Sequence, residues 1–207
     1  FVGYYGALYS GLSRGSLFAD SVSQAAFPSF SALFKNKHIA SLLAKYWQLQ
    51  DLVVILTLPF FALLPFFVTP LFTYVFNAAI AQDLFLPTLF LALGFYLQGT
   101  FTIPYFFSLA VEKPEISVRT NFLALFVVLP VTIALVYFFG LAGAAFSWVF
   151  YHLFVYFYAI PRICKECLGI LSREWYWHIG RILILGFLTF GIAFTYLLFS
   201  NANSIFS

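Results

Sequence analysis

Windows of about 20 mostly apolar residues, the length that crosses a hydrocarbon core about 30 Å thick, recur along this chain between turn signals and charged stretches. Six can be drawn, at about 3–31, 49–72, 84–111, 121–139, 141–160 and 179–199, with a short polar tail, Ser200 to Ser207, after the last. The first is the most polar and carries Arg14, Asp20, Gln24 and a series of serines from Ser10 to Ser31. Pro59, Pro65 and Pro70 fall in the second, Pro104 in the third and Pro130 in the fourth. Kinked helices are expected there, although proline is common in membrane helices generally. The pattern predicts an all-α fold: a polytopic transmembrane helical bundle of about six spans, forming one helical region over residues 1–207.

Charge tests this partition, because connections on the cytoplasmic side collect Lys and Arg. Lys35, Lys37 and Lys45 follow the first window, Lys113 and Arg119 follow the third, and Arg162, Lys165, Arg173 and Arg181 lie around the fifth-to-sixth connection. That is nine of the ten basic residues, while Thr73 to Asp83 and the tight Gly140 to Gly143 hairpin contain none. The alternation places the start of the chain and its tail outside the cytoplasm.

Composition agrees. With 63% hydrophobic and 8% charged residues and a mean hydropathy of +0.99, the chain is excluded from the soluble globular class, where charged residues approach a quarter. A net charge of +3 is too small, over so much apolar sequence, for a nucleic-acid binder. The chain has no Met and opens on Phe1 inside an apolar stretch, so it reads as part of a longer polypeptide. Cys164 and Cys167 are too few for a disulfide framework and lie among basic residues, which suits a reducing cytoplasmic face. A lone CxxC supplies half of a zinc site at most, and the default reading is two small apolar residues at a helix end.

The tenth basic residue, Arg14, lies inside a window. If the helix enters near Gly3, eleven residues at 1.5 Å each place it about 16 Å deep. A charge at that depth normally faces a water-filled cavity or a partner. Ser10, Ser13, Arg14, Ser21 and Gln24 share a broad polar face with Asp20 at its edge, so Arg14 either faces a cavity or pairs inside the protein. The separation of six from Asp20 is not a neighbour spacing on a helix. Other polar residues are weaker pointers. Gln98 and Thr100 could bridge helices or touch a substrate, His152 reads as a packed, hydrogen-bonded histidine, and Asp51 as a solvated helix end. Gly11 and Gly15 form a GxxxG that permits close helix approach.

Enzymes that act on lipid-linked sugars use acidic clusters or metal motifs. The seven acids here are scattered, with no DxD, HExxH or P-loop, and no connection is long enough for a catalytic domain. No filter-like loop suggests a channel. A transporter without a cofactor, rather than an enzyme, is the expectation from composition and spacing.

Two stretches carry a family resemblance. Gly3-Tyr4-Tyr5-Gly6-Ala7, followed by Ala26-Phe27-Pro28-Ser29-Phe30-Ser31 and a basic stretch, resembles the start of the second bundle of Wzx-type O-antigen flippases. These form the polysaccharide-transporter branch of the superfamily that includes the MATE drug exporters. Gly140-Leu141-Ala142-Gly143-Ala144-Ala145 resembles a later hairpin of the same family, and the likeness extends to about Gly169. It implies two bundles around a cationic cavity that opens alternately to each side of the bacterial inner membrane. The substrate implied is an undecaprenyl-pyrophosphate-linked oligosaccharide, the repeat unit of O-antigen, lipopolysaccharide or another polysaccharide. Arg14 would then hold the pyrophosphate, while Asp20, Ser21 and Gln24 contact sugar or tune Arg14. The partners implied are membrane lipids, a first bundle of the same protein and a coupling ion, with no nucleic acid. The alternatives are a MATE-like cation antiporter, expected to place an uncompensated acid deep in its cavity, and a membrane glycan polymerase or ligase, which needs a larger periplasmic loop.

Overall fold

The computed structural model describes residues 2–75, 77–193, 195 and 196. The end of the sixth window and the polar tail lie outside the described residues. Four long helices lead: α1 (Val2–Lys35), α2 (Ile39–Val75), α3 (Ala78–Ala110) and α4 (Pro114–Ile163). A π-helical turn (Cys164–Leu168), the shorter α5 (Ser172–Gly186) and a second π-helical turn (Phe187–Gly191) follow. The chain is all-helical, with no strand among the described residues. The helices run on through Pro28, Pro59, Pro65, Pro70, Pro87 and Pro104.

Three helical stretches are long and apolar enough to cross a membrane: Ile39–Val75, Ala78–Ala110 and the run Pro114–Leu168. The last is broken at Gly140, whose φ of 55° and ψ of −127° are open to glycine and strained for other residues. Its two limbs, 114–139 and 141–163, fold back on each other. Tyr151 donates a hydrogen bond to Asn121 Oδ1 at 3.1 Å, and Lys113 Nζ lies 3.9 Å from Glu166 Oε2 at the open end. The predicted glycine hairpin is therefore present.

Local chemistry sets the other reversals. After α1, His38 N bonds to Leu33 O and Lys37 N to Phe34 O, the paired bonds of a Schellman cap with Lys37 left-handed. Lys113 N to Ser108 O and Glu112 N to Leu109 O repeat the device after α3, with Glu112 left-handed. Between α2 and α3 the connection is shorter than Thr73 to Asp83, because α2 continues to Val75 and the Asn77 side chain caps α3 by accepting from Ile80 N at 2.8 Å.

Cross-links fix how the helices lie. Lys45 Nζ donates to Ser29 Oγ at 2.6 Å and Gln50 Nε2 to Thr100 O at 2.9 Å, so α2 runs antiparallel to α1 and α3. The second limb of α4 runs parallel to α3, through Phe90 with Phe146, Phe95 with Trp148 and Thr100 with Tyr156. Helix α5 lies along α2, where Trp175 Nε1 donates to Tyr46 OH at 2.9 Å and His178 Nε2 meets Asp51 Oδ1 at 2.5 Å. Asp51 is thus paired across helices rather than merely solvated. These contacts gather Lys35, Lys37, Lys45, Lys113 and Arg162 at one end, and Asn77 and Gly140 at the other.

In lipid, helices associate by close packing and interhelical hydrogen bonds rather than by expelling water. At the basic end, the buried rings of Phe30 and Tyr46 pack edge-on against Phe107 at 5.3 and 4.8 Å. Such pairs contribute about 0.5–1.5 kcal/mol each. The Cys164 and Cys167 thiols are free, and Cys164 is buried in the π-helical turn.

Candidate functional site

Helix α1 presents two chemically different faces. Leu8, Leu12, Ala19, Ala26 and Phe30 turn into the core. The opposite face exposes Gly3, Ala7, Ser10, Gly11, Arg14, Ser21, Gln24, Ala25 and Pro28, interrupted by the large apolar residues Leu17 and Phe18. The exposed faces of α2 and the first limb of α4 are of another kind, with Leu52, Ile55, Phe60 and Phe67 on one and Phe122, Phe126, Leu129 and Ile133 on the other. Large apolar residues suit lipid, whereas small and polar ones suit close approach of another helix or a wet surface.

Arg14, Ser21 and Gln24 therefore share one exposed face, as their spacing anticipates. No carboxylate lies within ion-pair distance of Arg14 among the described residues, so the structure does not take the option of internal pairing with Asp20. Six residues further along, at about 100° per residue, Asp20 comes round to a different side. Of the four residues grouped by sequence, Arg14, Ser21 and Gln24 are exposed and Asp20 is half-buried, about 120° round the helix from Arg14.

Asp20 lines a cavity of about 270 Å³ between α1, α3 and the second limb of α4. Its α3 wall carries Gln98, Thr102 and Tyr105, spaced four and three apart, which stacks them on one side of the helix. Its α4 wall carries Trp148, Tyr151 and His152. Asp20, Gln98 and His152 all fall near the middle of their helices, so the cavity sits at half height in the bundle. Beside Asp20 in this cavity, the Thr102 hydroxyl donates to Gln98 O at 3.0 Å. His152 is packed and hydrogen-bonded as expected: Nδ1 lies 2.9 Å from Trp148 O. A carbonyl oxygen only accepts, so Nδ1 carries the proton and Nε2 is left as an acceptor in the neutral ring. Gln98 Oε1 and Trp148 Nε1 are buried without a partner. Thr100 is engaged elsewhere, with Tyr156 and through its carbonyl with Gln50.

Sequence reasoning singled out Gln98 and His152 but not Thr102, Tyr105, Trp148 or Tyr151. The available pointer was their helical spacing, four and three apart on α3 and three and four apart on α4. Two apolar cavities lie elsewhere in the bundle. One of about 310 Å³ lies between α1 and α2, lined by Ala7, Leu8, Gly11, Phe60 and Leu64, and one of about 370 Å³ lies between α2, α3 and α5. Gly11 leaves open space at its own Cβ position, whereas Gly15 is met by the Phe60 ring, so the GxxxG serves close approach at its second glycine.

Comparisons of this chain with family models, with curated proteins and with solved structures return no match.

Proposed function

We propose that this chain is part of a transporter that flips an undecaprenyl-pyrophosphate-linked oligosaccharide across the bacterial inner membrane by alternating access, with α1 lining the pathway. The observation that carries the reading is the exposed face of α1. There an arginine with no carboxylate partner among the described residues stands with Gly, Ala, Ser and Gln, interrupted by Leu17 and Phe18, while the exposed faces of neighbouring helices are made of Leu, Ile and Phe. An arginine facing hydrocarbon at mid-membrane costs at least about 2.5–3.5 kcal/mol. A hydrated cavity shared with a second bundle removes that cost, and the guanidinium then offers a two-pronged donor to phosphate oxygens. Ser21 and Gln24, two and three turns on, provide hydroxyl and amide groups for sugar. The apolar slot between α1 and α2 begins one turn from Arg14 at Gly11 and suits a polyprenyl tail. In this reading the six windows are six crossings, the basic end is cytoplasmic, and no bond is made or broken.

The test uses the full-length parent gene in a strain lacking its own O-antigen flippase, with surface glycan as readout. Restoration by the wild type and loss with Arg14→Ala at equal membrane abundance is the expected result. Restoration by both would keep the flippase and remove Arg14 from the pathway. Failure of the wild type, together with acquired resistance to cationic drugs, would replace the reading with a cation exporter.

A further inference from the structure

The half-height cavity has a chemistry opposite to that of the α1 face. Its one formally charged lining residue is Asp20, and no lysine or arginine borders it. Phe101, Tyr105 and Phe106 from α3 and Trp148 and Tyr151 from α4 supply most of the remaining wall. On the α4 side the rings are held against one another, with Trp148 to Tyr151 at 5.9 Å, Trp148 to His152 at 4.8 Å and Tyr151 to His152 at 5.0 Å. Two buried polar atoms, Gln98 Oε1 and Trp148 Nε1, have no partner within the protein.

Each ligand class meets this set differently. A multivalent metal is a poor match, because no group of three His, Cys, Asp or Glu residues stands together among the described residues and hard divalent cations require six or more oxygen ligands. An anion would face the Asp20 carboxylate. A neutral sugar would leave that carboxylate uncompensated among the central helical turns, which is costly at such depth. A small organic cation meets all three features. It neutralises the carboxylate, its alkyl groups pack on aromatic walls that attract cations, and a volume of about 270 Å³ admits a short-chain ammonium while being too small for an oligosaccharide.

We infer that the cavity between α1, α3 and α4 binds one small organic ammonium ion, with Asp20 as its counter-ion and Trp148 and Tyr105 as its aromatic walls. The site lies about a third of a turn round α1 from Arg14, and the inference stands whether or not lipid-linked oligosaccharide is transported.

The test is equilibrium binding of radiolabelled tetraethylammonium to the intact chain in lipid nanodiscs. The wild type is expected to bind saturably, one ion per chain. Asp20→Asn keeps the shape and removes the charge, and is expected to weaken binding by more than about tenfold. Trp148→Leu removes the largest ring and is expected to weaken it by about 3- to 30-fold. Asp83→Asn, an exposed carboxylate at the start of α3, is expected to bind as the wild type does. Absence of saturable binding to the wild type at millimolar tetraethylammonium, equal binding by Asp20→Asn, or displacement by sodium as effective as by the organic ion would each overturn the proposal. If Asp20→Asn does not reconstitute, Trp148→Leu decides, and unchanged affinity there overturns it. The glycan readout for Arg14 is separate, so the two readings fail independently.

Discussion

Gly143 gives the sharpest test of how α4 is built. It lies three residues past the Gly140 break, and a Cβ added to it would come within 2.5 Å of the Leu135 carbonyl carbon, closer still to its oxygen, and within 3.1 Å of Phe139 Cβ. Ordinary contact begins near 3.4 Å, so the two limbs would have to part by about 1.5 Å to clear the Leu135 oxygen. The obstacle is backbone, which cannot rotate away as a side-chain tip can. A gap of that size forfeits at least roughly half of each dispersion contact along the seam, and overpacking costs about 1–3 kcal/mol. Gly143→Ala is therefore expected to destabilise the fold by about 2–3 kcal/mol. Gly140→Ala acts by another route. Nothing lies near its Cβ position, but at φ 55° the substitution carries about 1–3 kcal/mol of backbone strain. The control is Gly180→Ala, with open space and ordinary helical backbone, where helix propensity predicts a gain of up to about 1 kcal/mol. Unfolding of the purified chain in mixed micelles, titrated with a denaturing detergent, measures all three. If Gly143→Ala matched Gly180→Ala, the limbs would not approach as described and the hairpin geometry would be refuted.

Two further substitutions probe cross-helix bonds. Trp175→Phe keeps the packing of a fully buried ring but removes the donor to Tyr46 OH; a loss of about 1–3 kcal/mol should loosen α5 and speed tryptic cleavage at Arg181, and unchanged cleavage would show that this bond does not hold α5. Gln50→Leu removes the bond to Thr100 O together with the unpartnered Oε1. Because Pro104, four residues on, has no N–H for the buried Thr100 carbonyl, the loss leaves that oxygen unpaired and stability in the same detergent titration should fall by about 1–3 kcal/mol; an unchanged stability would mean the amide does not anchor α2 to α3.

The order of helices was legible because lipid imposes a coarse requirement, about 20 apolar residues per crossing, that a hydropathy pattern reveals directly. The Gly140 reversal was legible as well, since two glycines three apart in an uncharged stretch have few other uses. Helix ends were less so. Thr73 to Asp83 reads as a connection because Asn77 and nearby polar residues interrupt the apolar run, yet Asn77 serves as a single capping residue and α2 and α3 extend almost to it. The first window likewise becomes a helix reaching Lys35, because a left-handed Lys37 closes it where no glycine advertises a stop.

Polar positions were harder to interpret, because a helical wheel gives an angle but not what stands opposite. Arg14 and Asp20 look like members of one polar surface when α1 is considered alone. Only the placement of α3 and α4 shows that Asp20 borders a half-buried cavity with Gln98, Thr102 and His152 while Arg14 is exposed. This separation has a physical consequence. An arginine and an aspartate in contact would largely cancel, leaving α1 little ability to attract a charged ligand. Kept on different sides of one helix, neither is neutralised by the other, and the two proposals above assign an anion to the exposed face and a cation to the half-height cavity. Rotation or translation of α1 would alter both sites at once, since both ride on the same rigid element. Coupling of that kind is reciprocal: if occupancy of the cavity biases the position of α1, anion binding at Arg14 must change affinity at Asp20 by the same factor.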